Sequence, residues 1–142
     1  MKSYKFLGLI MLICSLPVMA SELPRSASPE NAKVYFIQPQ DGDVISGGKV
    51  KVIFGLSGMG VAPAGIEKKN TGHHHLLINV DELPMNMPIP SDANHKHFGG
   101  GQTETVLELA PGEHTLQLIL ADHLHIPHKP PVMSEVITIT VE

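Results

Sequence analysis

Apolar side chains in this chain recur at every second position, segment after segment, and no window of similar length repeats them at every third or fourth. Segment 49–56, KVKVIFGL, sets Val50, Val52, Phe54 and Leu56 against Lys49 and Lys51. Successive side chains of an extended strand point to opposite faces, so this pattern buries one face and leaves the other wet. The same rule gives the core faces Leu76/Ile78/Val80 in 73–80, Thr105/Leu107/Leu109 in 103–109, Leu116/Leu118/Leu120 in 114–121 and Ile137/Ile139/Val141 in 133–141, with a shorter strand over 33–38.

Turn chemistry separates these segments: Gln40-Asp-Gly42, Ser46-Gly-Gly48, Ala110-Pro-Gly-Glu113 and Lys129-Pro-Pro131. Segment 81–94 holds Pro84, Pro88 and Pro90, which suits an extended loop or an edge segment and not a central strand. Six clear strands and one weak one predict an all-β fold, an antiparallel immunoglobulin-like β-sandwich of about seven strands. The Cys-Trp-Cys core of antibody domains is missing, so the pattern alone carries this reading. In the usual pairing of such a sandwich, 49–56 runs antiparallel to 103–109 and 73–80 antiparallel to 114–121. The stretches before 73, before 103 and after 121 then meet at one end.

Residues 1–20 read as a secretory signal peptide: Lys2 and Lys5 precede the apolar run 6–13, and Val18-Met19-Ala20 closes it. Cys14 raises a lipoprotein alternative, disfavoured because Ile13 and not a small residue precedes it. Residues 21–32 then form a flexible lead-in and 33–142 a single β-sandwich domain, of ordinary size for one core. A periplasmic location is the expectation. No second apolar run approaches the roughly 20 residues of a transmembrane helix, so the mature chain is expected to have no transmembrane segment.

The lone cysteine leaves with the signal, so a metal site in the exported product must use imidazole, thioether or carboxylate. Without Lys2 and Lys5 the charge falls from −4 to −6. That sign excludes neither protein nor metal partners but disfavours nucleic acid and anionic lipid.

All nine histidines lie between His73 and His128. His73, His74 and His75 open one strand, His95 and His97 precede another, and His123, His125 and His128 follow a third. Each group contains an H-x-H pair, and residues two apart on an extended segment share a side. Two such pairs can supply four imidazoles at the roughly 2.0–2.1 Å that zinc takes. The candidate ligands are His73, His75, His95, His97, His123 and His125, with His74 and His128 as further candidates. Neutral imidazole suits copper and zinc, and copper has the higher intrinsic affinity, so the expected cofactor is a copper or zinc ion, copper first.

The alternative is structural, with imidazoles bonding to backbone and to carboxylates such as Asp92 and Asp122 to fasten the loops. His114, at the start of a strand after Pro111-Gly112, is read that way. Met59, Met85, Met87 and Met133 remain after cleavage, and core or loop packing is the plainer reading for them. Gly99 to Gly101 are expected to let backbone pass close beneath histidines. No helix follows that run, so it is not a phosphate loop.

Segments GVAPAG (60–65), GHHHLLI (72–78), HFGGGQT (97–103), PGEHTLQL (111–118) and PHKPPVMS (127–134) resemble the bacterial exported family known as domain of unknown function 4399. The likeness runs over nearly all of the mature chain, and it implies no established activity. In that family an acidic residue commonly follows Leu-Leu-Ile, where this chain has Asn79.

The expected function is thus an exported His-rich β-sandwich that binds a transition metal for storage, delivery or sensing, and not an enzyme. A second reading is a non-catalytic module whose His-lined end contacts another envelope protein. A copper-dependent redox enzyme of the copper-zinc superoxide dismutase kind shares H-x-H pairs on a sandwich. It needs a disulfide and an active-site arginine, whereas the mature chain has no cysteine and only Arg25.

Overall fold

The computed structural model describes residues 23–142, so the 1–20 signal segment with Cys14 lies outside the described residues. Ten strands form: β1 (Lys33–Gln38), β2 (Val44–Ile45), β3 (Lys49–Ser57), β4 (Gly60–Val61), β5 (Thr71–Ile78), β6 (His95–His97), β7 (Glu104–Glu108), β8 (Gly112–Ala121), β9 (Pro127–Met133) and β10 (Ile137–Val141). One sheet runs β1-β3-β7. The larger runs β2-β10-β8-β5-β4, with β6 also on β5 and β9 also on β8. The fold is an all-β sandwich, and no helix occurs among the described residues.

Both expected pairings are present and antiparallel: β3 with β7, with Val52 opposite Thr105, and β5 with β8, with His75 opposite Ile119. The alternation does the work it promises. Val50, Val52, Phe54, Leu107, Leu116, Leu118, Leu120, Ile137, Ile139 and Val141 join Leu76 and Ile78 in one core between the sheets. Val80 is an exception to the expected face. Asn79 adopts φ 55°, which turns the chain out of the strand, and Val80 packs instead into a second cluster with Leu77, Ile89 and Ile119.

That second cluster explains why the centre of β5 is buried on both sides, from Gly72 to Ile78. His74, Leu76 and Ile78 face the other sheet, while His73, His75 and Leu77 face outward. The outer face is roofed by the 79–94 loop, whose Ile89 N donates to His125 O at 2.8 Å. A strand covered on both faces reads as a continuous run and not as an alternating one.

Four elements differ from expectation. β2 and β4 are two-residue strands that pair parallel with β10 and β5, too short to leave a period in the sequence. β6 is a three-residue strand beside β5. β9 runs through Lys129-Pro-Pro131, which reads as a turn. It is tolerated because only Pro127, Val132 and Met133 pair with β8, leaving Pro130 and Pro131 where no ladder hydrogen bond to β8 is required.

Within the lead-in expected to be flexible, Ala27 bridges Lys129. The Arg25 guanidinium donates to Pro127 O at 2.9 Å and also to His128 O, and Ser28 Oγ donates to Pro130 O at 2.6 Å.

Candidate metal centre

Two histidines of the site come from one strand face. His73 and His75 alternate outward from β5, so their rings stand side by side with centroids 4.9 Å apart and their Nε2 atoms 3.0 Å apart. His97 enters from β6, which pairs it directly across from His75, with rings 5.0 Å apart. His125 enters from the turn that follows β8, whose last residue Ala121 lies opposite His73.

The four rings form one cluster. His97 lies 5.0 Å from His73 and 4.8 Å from His125, and His125 lies 5.1 Å from His73 and 6.1 Å from His75. Ring nitrogens of His73, His97 and His125 all lie within 4.8 Å of one another, and this group can hold a metal ion. Nitrogens bound to one tetrahedral ion at roughly 2.0–2.1 Å sit about 3.3 Å apart, close to the spacing of the His73 and His75 atoms.

Local chemistry shapes each approach. A Cβ on Gly99 would fall 2.3 Å from His97 Cε1 and 2.5 Å from its Nε2, so the glycine is what lets the ring lie against the backbone. His125 sits in the left-handed region at φ 67°, in a turn closed by its own N–H to Asp122 O at 2.9 Å and by Asp122 N to Ile126 O at 2.9 Å. That region is uncommon for a non-glycine residue, although histidine enters it more readily than most.

The cluster is short of hydrogen bonds. Nδ1 of His73, Nδ1 of His75 and Nε2 of His97 are buried without a partner. Burial, followed by the neighbouring His125 and His97 rings, lowers the His73 pKa from 6.5 to about 4 against an opposing pull from Asp122. Burial and then His73, His97 and His125 lower that of His75 to about 2. Burial and then His125 lower that of His97. All three therefore present neutral rings at pH 7, the form that ligates metal.

The remaining candidates lie elsewhere. His74 points between the sheets against Phe54, ring centroids 5.1 Å apart, and burial lowers its pKa to about 4 in spite of the Gln102 backbone. His95 pairs with Asp92 at 2.9 Å. His123 lines a separate cavity with Lys68, Lys69 and Asp122. His128 is buried with its ring nitrogens 3.2 Å from the carbonyl oxygens of Leu120 and Thr71. His114 bonds to Ala110 O at 2.8 Å and to Asn79 at 3.0 Å, the fastening role expected of it. Met85 and Met133 pack against the outer cluster of Leu77, Ile89 and Ile119.

Only the first H-x-H pair acts as a pair. His95 and His123 are not in ring contact with the four, in the second case because 122–126 is a tight turn in which the two-residue period of a strand does not apply. Since His74 faces away from the cluster, His74→Leu is expected to leave metal stoichiometry and affinity within about twofold. It should raise the stability of the metal-free protein by about 1 kcal/mol, because an imidazole is removed from an apolar core. Metal titration and denaturant unfolding of the variant read both effects, and a lost equivalent of metal would return His74 to the ligand set.

Comparison with known proteins adds a family and no activity. A family model described as a domain of unknown function, DUF4399, matches residues 52–142, a span that includes all four clustered histidines. No curated protein matches the chain.

Proposed function

The chain belongs to the DUF4399 family, and from that premise and the geometry of its histidines we propose that it is an exported, periplasmic transition-metal-binding protein that prefers copper to zinc. His73, His75, His97 and His125 are the ligands. The role is storage, delivery or sensing of the ion and not turnover.

One contrast carries this reading. The histidines that fasten structure, His95, His114 and His128, spend their ring nitrogens on carboxylate or carbonyl oxygens. The four clustered rings instead face one another and leave three buried nitrogens unpaired. A hydrogen-bond network gains nothing from that arrangement, since each unmet buried polar atom costs about 1–3 kcal/mol, and the four rings differ from His74, which is also unpaired, in that they face one another. An ion between the rings would take the Nε2 lone pairs of His73 and His75, which meet each other at 3.0 Å, and that of His97, which has no partner.

Four neutral nitrogens with no thiolate or carboxylate among them suit copper and zinc, and the intrinsic order places copper higher. Four protein ligands also fill a tetrahedral shell, which disfavours catalysis at an open position. His97 and His125 are only partly buried, whereas His73 and His75 are fully enclosed, so the ion has a route in and out on one side.

Anaerobic titration of the mature chain with Cu(I), and parallel titrations with Cu(II) and Zn(II), test the proposal. One equivalent is expected to bind tighter than about 1 μM, and saturation at about a thousandfold excess over Kd should stabilise the fold by about 4 kcal/mol. Failure to bind any of the three, with a melting temperature indifferent to metal, would leave the envelope-interaction reading in its place.

A further inference from the structure

We infer that Asp122 is the buried counter-charge of the histidine cluster and the residue that positions His125, an inference that rests on the metal-binding reading above. Four neutral imidazoles bring no negative charge, so an ion among them would leave a bare +1 or +2 inside the protein, where solvent screens it poorly. Asp122, 2 % exposed, is the only buried acidic side chain among the described residues.

The carboxylate is built into the site and not merely near it. Oδ1 accepts Leu124 N at 2.9 Å and Ile126 N at 3.1 Å, and so spans the turn that holds His125. Oδ2 accepts Ser26 Oγ at 2.7 Å. Burial alone would push the carboxyl pKa up, but the bonds from Ser26, Ile126 and Leu124 outweigh it and hold the group below the usual carboxylate range. Asp122 directly follows Ala121, the β8 residue opposite His73, and its carbonyl oxygen accepts His125 N at 2.9 Å, so the residue adjoins the backbone of two of the four clustered histidines. Ser26 belongs to the N-terminal segment, so residues far from the histidines in sequence complete the turn from behind.

Two roles are thereby combined in one side chain, and they separate by ion charge. Loss of position weakens all ions alike. Loss of a fixed negative charge weakens a divalent ion by twice the logarithm that it weakens a monovalent one, since the Coulomb energy scales with the charge of the ion. Asp122→Asn keeps an oxygen for Leu124 N and Ile126 N while removing the charge. Ser26→Lys leaves Asp122 intact and sets an ammonium beside it, in a cavity of about 260 Å³ that Ser26 and Asp122 both line.

The experiment measures Zn(II) and Cu(I) affinities of wild type and both variants in the mature chain. For Asp122→Asn the expected losses are about 100-fold for Zn(II) and about 10-fold for Cu(I), within the range that groups supporting metal ligands command. Ser26→Lys should show smaller losses in the same two-to-one logarithmic ratio, and it carries the test if Asp122→Asn does not fold. Equal losses for the two ions, or none, overturn the counter-charge role while the metal site stands. A wild type that binds neither ion overturns the metal reading itself, and this inference with it.

Discussion

Replacing His75 with leucine is expected to weaken metal binding by roughly a hundred- to a thousandfold and, in the same molecule, to make the metal-free protein more stable. His75 is fully buried, opposite His97 on one side and Ile119 on the other, and its outward face continues into Leu77 and the outer apolar cluster. Leucine is of similar size and fits those neighbours. It also removes the buried Nδ1 that has no partner, a group worth about 1–3 kcal/mol of destabilisation, against the loss of one Nε2–Nε2 hydrogen bond to His73 worth about 1 kcal/mol. For a domain of this length the balance corresponds to a rise of up to roughly 10 °C in Tm. The affinity loss follows from sharing the roughly 10–16 kcal/mol of a four-ligand site among its ligands, which is about 2.5–4 kcal/mol each. Calorimetric scans of wild type and variant, with metal removed and with metal saturating, should therefore cross: the variant melts later without metal and earlier with it. A histidine whose ring nitrogens are bonded, as those of His114 are, would give the opposite metal-free result, because removing a satisfied imidazole destabilises. If His75→Leu lowered Tm without metal and left metal binding intact, the cluster would have to be reread as a scaffold.

The crossing matters because it exposes how much of the molecule the sequence specifies locally. Strands β3, β7, β8 and β10 carry an alternating pattern, and the apolar residues of the core faces they imply are buried, with Leu56 and Leu109 partly so. The pattern is legible because one side of each strand is core and the other solvent. β5 breaks the pattern since both its faces are covered, and its HHHLLI run shows only that something unusual is buried there. Which histidines meet is not readable from spacing. His73 and His75 follow strand periodicity, but His97 was selected over His95 by the register of β6 on β5, and His125 over His123 by a turn with φ 67°. Register and turn conformation depend on contacts distant in sequence. β9 was hidden for a different reason, since Lys129-Pro-Pro131 carries turn residues in a strand that needs few ladder bonds.

Metal-free protein is expected to lose stability steeply as pH falls from about 6.5 toward 4, and this loss sets when an ion is released. Burial first, and neighbouring rings second, lower His73 to about 4 and His75 to about 2, and burial lowers His74 to about 4, each from 6.5. The unfolded chain takes up a proton on each of these near 6.5 while the folded chain refuses it. Below 6.5 the unfolded state therefore binds more protons, and stability decreases as pH decreases. Stability is complete above 6.5 and is lost as the pH falls through the lowered folded values. Each such histidine adds a slope approaching 1.4 kcal/mol per pH unit. Denaturant unfolding at pH 7.5, 6 and 5 measures the slope, and His74→Leu should reduce it by one histidine's share; a flat profile would mean that these rings are protonated in the fold. The same lowering governs the ion. Protons compete for a solvated imidazole near pH 6.5, but the folded protein admits them to His73 and His75 only near about 4 and about 2. Affinity should hold nearly constant down to about pH 5.5 and then fall together with the far-UV signal in one transition. Release at a pH where the fold is still intact would show instead that the rings titrate individually and that burial does not guard the site.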